Sequence, residues 1–222
     1  MVAAIKWGVE RALVLETASK LVERGLVLGK AGNVSQRVTP SGELDLLIIT
    51  PTSRYYDSLT PADVPVVDLN GHVVDGELAP SSELRLHIGV YKARPDVSAI
   101  VHSHSVHASA LAVAGLGIPA ILEEEVALLG GEVRVAEYGP SGSEELARSV
   151  VHALGDCNAV ILANHGAVGV GRTLREALDS CELVEKAARV YLLALSTGGV
   201  NLLSSEAVAA ARRIFLASRS AT

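Results

Sequence analysis

The run CNAVILANHGAVGVG, residues 157–171, followed by TLREALDSCELVEKAARVYLLAL, residues 173–195, decides the fold class. The first run reads as an apolar strand, a turn at Asn164 and His165, and a second strand. In the second, the apolar period lengthens to that of a long amphipathic helix. Strand and helix follow each other with no linker between them.

The alternation continues outward. Toward the N-terminus, GSEELARSVVHALGD (142–156) reads as a helix with acidic residues in its first turn, where they favour the dipole. GEVRVAEY (131–138) reads as a strand, HASALAVAG (107–115) as a helix and VSAIVHSH (97–104) as a β-branched strand. SSELRLHIGVYKARPD (81–96) reads as a helix with Ser81 or Ser82 at its N-cap and Pro95 closing it. VPVVDLNGHVVDG (64–76) predicts a hairpin with Asn70-Gly71 as a two-residue turn. ELDLLIIT (43–50) predicts a strand stopped by Pro51, and GNVSQRV (32–38) a tight turn entering a strand. Residues 1–24 predict a helix ended by Gly25 and Gly29, and SSEAVAAARRIFLAS (204–218) a last helix. No composition break or repeat divides the chain. The expectation is one α/β domain over residues 1–222 with a layered sheet.

Composition narrows the function classes. Hydrophobic residues make up 49% and aromatic residues 3%, so the core is built from Val, Leu, Ile and Ala. Net charge is −6 with no basic stripe, which gives a nucleic-acid partner no support. Cys157 and Cys181 form no CxxC pair and predict free, buried thiols in a reducing compartment. The apolar run at 110–122 holds two Gly and a Pro and is too short to span a bilayer. No secretory signal is visible, and a cytoplasmic location is expected.

The chemistry concentrates in a few polar residues. His102 and His104 are two apart on one strand, so both face one side. His165 again follows an apolar strand, at the kind of strand end where α/β folds hold ligands. Three neutral imidazoles with an open position suit a catalytic zinc. Glu83 opens a helix, where a carboxylate either caps the positive end of the dipole or serves as a general acid/base. His72, His87, His107 and His152 fall on a hairpin or on helices and are left outside the site. Small polar clusters at Gly32–Ser35, Thr50–Ser53 and Ser81–Ser82 are turn chemistry, or a cradle of amides and hydroxyls for an anion without fixed positive charge. No Walker loop or GxGxxG occurs.

Asn33 in GNVS, TPTS at 50–53, PSSE ending on Glu83, HSH at 102–104 and NHG with His165 occur in that order. Together they resemble the class II aldolase/adducin family over nearly the whole chain, on the side of its fuculose-phosphate aldolases. The resemblance implies a three-layer α/β/α fold with a central, largely antiparallel sheet. It implies a homotetramer with active sites at subunit interfaces and one Zn2+ per subunit on His102, His104 and His165. Glu83 matches the catalytic carboxylate. Asn33, Thr52, Ser53, Ser81 and Ser82 match the pocket for the substrate's phosphate. The implied reaction is reversible cleavage of a ketose 1-phosphate of the L-fuculose 1-phosphate type to dihydroxyacetone phosphate and an aldehyde such as L-lactaldehyde. Other reactions of the family stand as alternatives: 4-epimerisation of a pentulose phosphate, dehydration of methylthioribulose phosphate, decarboxylation of a sugar-acid phosphate, or a non-catalytic adducin-like module. Two departures bear on the aldehyde. Glu123 and Ser218 stand where the family's aldolases carry tyrosines; a separate, smaller change is Ser53 in the phosphate loop, where Gly is common.

Overall fold

The computed structural model describes residues 5–39 and 45–220. Residues 1–4 of the expected first helix and residues 43–44 of the expected second strand lie outside them. The elements are α1 (Gly8–Glu23), β1 (Asn33–Val38), β2 (Leu46–Ile49), β3 (Val66–Asp68), β4 (Val73–Asp75), α2 (Leu84–Ala93), β5 (Ala99–Ser103) and α3 (Val106–Ala114). They continue with α4 (Glu123–Leu129), β6 (Val135–Ala136), α5 (Glu144–Leu154), β7 (Ala159–Leu162), β8 (Gly166–Gly171), α6 (Leu174–Ser196) and α7 (Ser205–Ser220).

The strands form one sheet in the order β4-β3-β2-β1-β5-β8-β7-β6. Every neighbouring pair is antiparallel except β6 and β7, which run parallel. The sheet is therefore mixed, mostly antiparallel with one parallel pair at its edge. Alternation along the strands separates two cores. Val34, Leu46, Ile48, Ala99, Val101 and Leu174 pack on the α1 and α6 side. Ile161 and Ala167 continue that face beneath α3 and α6. Leu47, Ile49, Ile100, Val160, Val168 and Val170 face the opposite side, against α2 and α5. Helices thus cover both faces, the arrangement that hides two hydrophobic sheet surfaces from water. Close approach of α6 to β8 depends on Gly169, where a Cβ would come within 2.6 Å of the Ala177 carbonyl and 2.9 Å of the Cys181 nitrogen.

Three local expectations change. The hairpin at 66–75 closes through a three-residue loop, Leu69-Asn70-Gly71, rather than a two-residue turn. Gly71 N–H donates to the Asp68 carbonyl at 3.0 Å and Gly71 takes φ +88°, a turn followed by a left-handed glycine. Helix α2 starts after Glu83 instead of at the serines, although Ser81 Oγ still accepts from Glu83 N–H at 3.2 Å. The run Glu123-Glu124-Glu125, whose three successive charges suggest a solvated loop, forms the first turn of the helix α4.

In α4, Glu123 and Glu124 are exposed but Glu125 is fully buried. Glu125 Oε2 accepts from Ile121 N–H at 3.3 Å, and Oε1 has no partner among the described residues. Burial pushes this carboxyl up to about 7. Its proton is held more tightly folded than unfolded, so stability falls as pH rises from the ordinary carboxylate range through about 7. Glu125→Gln should therefore gain about 1–3 kcal/mol over wild type between pH 5 and pH 8. Urea midpoints at the two pH values check this; a constant difference between the proteins contradicts it.

Candidate active site

The site forms where β5 ends beside the β7–β8 turn. His102 is the fourth residue of β5 and pairs directly across β1 with Asn33. β5 ends at Ser103, so His104 lies one residue past it, held by its N–H on the Leu26 carbonyl at 3.0 Å. His165 closes the three-residue β7–β8 turn, its N–H bonding the Leu162 carbonyl at 3.0 Å. The NHG sequence has a physical reading there. Asn164 occupies the left-handed region at φ +57°, which asparagine tolerates better than most residues. A Cβ on Gly166 would lie 2.2 Å from the Ser103 carbonyl oxygen and 3.0 Å from the His104 ring. Glycine alone lets the turn close onto the HSH strand end. Gly32 does the same from the other side, since a Cβ there would lie 2.7 Å from the His102 carbonyl oxygen.

The three imidazoles converge. Ring centroids are 4.7, 4.8 and 4.9 Å apart, a nearly equilateral triangle. One nitrogen from each lies within 4.8 Å of the others, with His102 Nε2 and His104 Nε2 at 2.8 Å. His102 Nδ1 is 3.0 Å from the Ala167 carbonyl, which fixes a proton on Nδ1 and turns Nε2 toward the other rings and Glu83. Burial and the neighbouring His102 push His104 down to about 4, and the same two causes lower His165. Burial also acts to lower His102, but the Glu83 carboxylate outweighs it and holds that ring above its ordinary value. Converging imidazole nitrogens with a carboxylate beside them fit a divalent transition metal that keeps an open position.

Glu83 sits at the edge of this triangle. Its Oε2 is 3.1 Å from His102 Nε2 and its Oε1 is 3.5 Å from His165 Nε2. Asn33 Nδ2 donates to Oε2 at 2.8 Å and Ser141 Oγ donates to Oε1 at 3.1 Å. The carboxylate therefore points into the site and does not cap α2. Burial works to raise it, but His102, His165 and the Asn33 amide win and hold it well below the usual carboxylate range.

A cavity of about 170 Å³ joins Glu83, His104 and His165 to Asn33, Thr52, Ser53, Ser81 and Ser82. The residues expected to act as ligands, base and phosphate contacts thus lie together, His102 through its contacts with Glu83 and the other two rings. Their parts differ. Asn33 spends its amide on Glu83 and on His87, whose Nε2 lies 2.5 Å from Asn33 Oδ1. The other four bring hydroxyls to the N-terminal end of α2, a favourable place for an anion. Ser53 takes φ +55°, a left-handed conformation that glycine adopts more readily than serine. Two polar lining residues escaped the sequence reading: Ser141, and Lys30, whose ammonium lies 4.7 Å from the centre of the Tyr55 ring. Lys30 directly precedes Ala31 and the GNVS signature, and Ser141 lies in a small polar turn ahead of α5; both are ordinary loop residues in sequence. Glu123 and Ser218 do not line the cavity of their own chain. Size does not identify the site: an open groove of about 990 Å³ beside Gly117 and Arg134 holds none of the converging ligands.

Two of the remaining histidines, His107 and His72, pair with carboxylates outside the site. His107 Nδ1 lies 2.6 Å from Glu185, and His72 Nδ1 lies 3.1 Å from Asp68. Both cysteines are free and buried. No described helix is long and apolar enough to cross a membrane.

Residues 12–192 match the class II aldolase and adducin N-terminal domain family. An L-fuculose phosphate aldolase of Escherichia coli is 37% identical over 197 residues, covering 88% of this chain and 89% of that one. A 5-deoxy-D-ribulose 1-phosphate aldolase of Bacillus thuringiensis is 34% identical, covering 89% and 91%. A solved L-fuculose 1-phosphate aldolase superposes with a TM-score of 0.87 at 35% identity, covering 93% of this chain and 96% of that one.

Proposed function

The chain belongs to the class II aldolase and adducin N-terminal domain family and is a carbon–carbon lyase of its aldolase kind, and we propose that it uses zinc to cleave a ketose 1-phosphate reversibly into dihydroxyacetone phosphate and an aldehyde. The observation that carries this reading is the Glu83 carboxylate at the edge of the three-imidazole cluster, in a cavity whose other wall is hydroxyl-rich.

His102, His104 and His165 would hold the metal. A divalent cation held by them would supply a Lewis acid for the ketone. Thr52, Ser53, Ser81 and Ser82 take the phosphate at the N-terminal end of α2, with Lys30 adding charge at the mouth and Asn33 forming the floor. That anchoring fixes the hydroxymethyl carbon in front of Glu83, the sort of positioning that removes much of the entropic barrier. Glu83 takes the proton from that carbon in the synthetic direction and returns it after cleavage.

The substrate class rests on the relatives named for L-fuculose phosphate and 5-deoxy-D-ribulose 1-phosphate. Both sugars end in a methyl group, so the aldehyde end asks for little polar recognition. Glu123 and Ser218 in place of two tyrosines bear on which of the two aldehydes is released, and a product assay separates them. The same departure sustains a second reading, 4-epimerisation of a pentulose phosphate at the same site. We take residues 1–222 as one domain and the assembly as a cytoplasmic homotetramer, a reading supported by exposed apolar side chains such as Val106, Val113, Leu193 and Ile214.

The test is a product assay across five- and six-carbon ketose 1-phosphates with added zinc. The expected result is release of dihydroxyacetone phosphate, abolished by a chelator and restored by zinc. Full cleavage by metal-free protein would reject the metal reading. Inversion at C4 without release of the triose would establish the epimerase.

A further inference from the structure

Behind Glu83 a buried hydrogen-bond chain runs between α2 and β1. Glu83, His87 and Tyr91 are spaced four apart and share one face of α2, while Asn33 and Ser35 share one face of β1. Tyr91 Oη lies 2.8 Å from Ser35 Oγ, Ser35 Oγ lies 2.6 Å from His87 Nδ1, and His87 Nε2 lies 2.5 Å from Asn33 Oδ1. Asn33 Nδ2 then reaches Glu83. His87 and Ser35 are completely buried, Tyr91 is 1% exposed, and Asn33 and Glu83 are each 5% exposed. Burying five polar groups is costly unless every one is paired.

The pairing runs in one direction. Tyr91 Oη has no other polar partner among the described residues, so its proton goes to Ser35. Ser35 then gives its own proton to His87 Nδ1. That places the ring proton on Nε2, donating to Asn33 Oδ1, and turns the Asn33 N–H toward Glu83 Oε2. Reversing the chain strands the Tyr91 hydroxyl in the core and presents the Asn33 oxygen to the carboxylate. His87 stays neutral throughout the working range, since burial pushes it down to about 3.

We infer that Tyr91, Ser35 and His87 are positioning residues that act through Asn33 to fix the orientation of Glu83. The kinetic half of this inference rests on Glu83 acting as the base; the direction of the chain does not.

The test uses full-length protein reconstituted with zinc, and the variants His87→Leu, His87→Gln, Ser35→Ala and Tyr91→Phe. Nitrogen-15 NMR of labelled histidine should show His87 protonated on Nε2 in wild type, with that single tautomer lost in Tyr91→Phe. His87→Leu should lower kcat about 10–100-fold, with KM and metal content unchanged. Gln, which can donate to Asn33 and accept from Ser35, should recover most of the loss. Ser35→Ala and Tyr91→Phe should lose progressively less, and they carry the comparison if His87→Leu does not fold. An Nδ1-protonated His87 in wild type overturns the inference. So does a loss of kcat that follows the drop in Tm in every variant, whatever the position in the chain. A wild type that cleaves no ketose 1-phosphate removes the functional reading, and the tautomer still decides the chain's direction.

Discussion

Glu83→Gln is expected to lower kcat by about 10²–10⁴-fold, the usual weight of a positioned general base, while zinc remains bound in full. The geometry separates these effects. Converging nitrogens come from His102, His104 and His165, and the substitution removes none of them. What it removes is the carboxylate proposed as the proton acceptor. Wild-type Glu83 offers two oxygens to an N–H from Asn33, an O–H from Ser141 and two imidazoles. An amide in its place keeps one oxygen for the Asn33 N–H and turns its NH2 toward the Ser141 hydroxyl, which can accept, so the contacts around residue 83 survive while the basic oxygen is lost. The measurement is exchange of the hydroxymethyl protons of dihydroxyacetone phosphate with deuterated water, which isolates proton abstraction from carbon–carbon cleavage. Exchange at the wild-type rate in the variant would remove Glu83 from this role, whatever happened to overall turnover.

Glu83 also shows how far sequence reasoning reaches. A carboxylate at the start of a helix has two physical uses, and the local sequence satisfies both. Helical spacing places His87 above Glu83, but only the sheet brings Asn33 against them through its pairing with His102. The alternating strands, the three histidines and the hydroxyl clusters were legible because each follows from local chemistry: period, turn residues and ligand type. Non-local features were not. The parallel β6–β7 pair depends on a two-residue strand, too short for a pattern to announce. The helix α4 was hidden because three successive glutamates look like a solvated loop, and only the fold shows the third turned into the core. Lys30 and Ser141 were missed for the same reason: their surroundings give no reason to expect a site until distant segments meet.

Removing one ligand tests the site from its most independent side. His102 and His104 share a strand end, whereas His165 arrives on a separate hairpin. His165→Ala is expected to weaken zinc binding more than 100-fold, beyond the 10–100-fold usual for outer partners of a metal site, and to eliminate measurable turnover. The alanine itself should fold. His165 is half-buried, its backbone turn bond to Leu162 is kept, and the turn's special conformations belong to Asn164 and Gly166. Metal that binds only the folded state raises its stability by mass action. Wild-type Tm should therefore rise on adding zinc and fall with a chelator, while the variant's Tm should respond to neither. Metal analysis after dialysis gives the second readout. A variant that retains one zinc per chain and still melts higher with added metal would mean that His165 is not a ligand. The cation would then have to sit on the HSH pair and Glu83, leaving Glu83 as a permanent ligand instead of a base and undoing the mechanism at its centre.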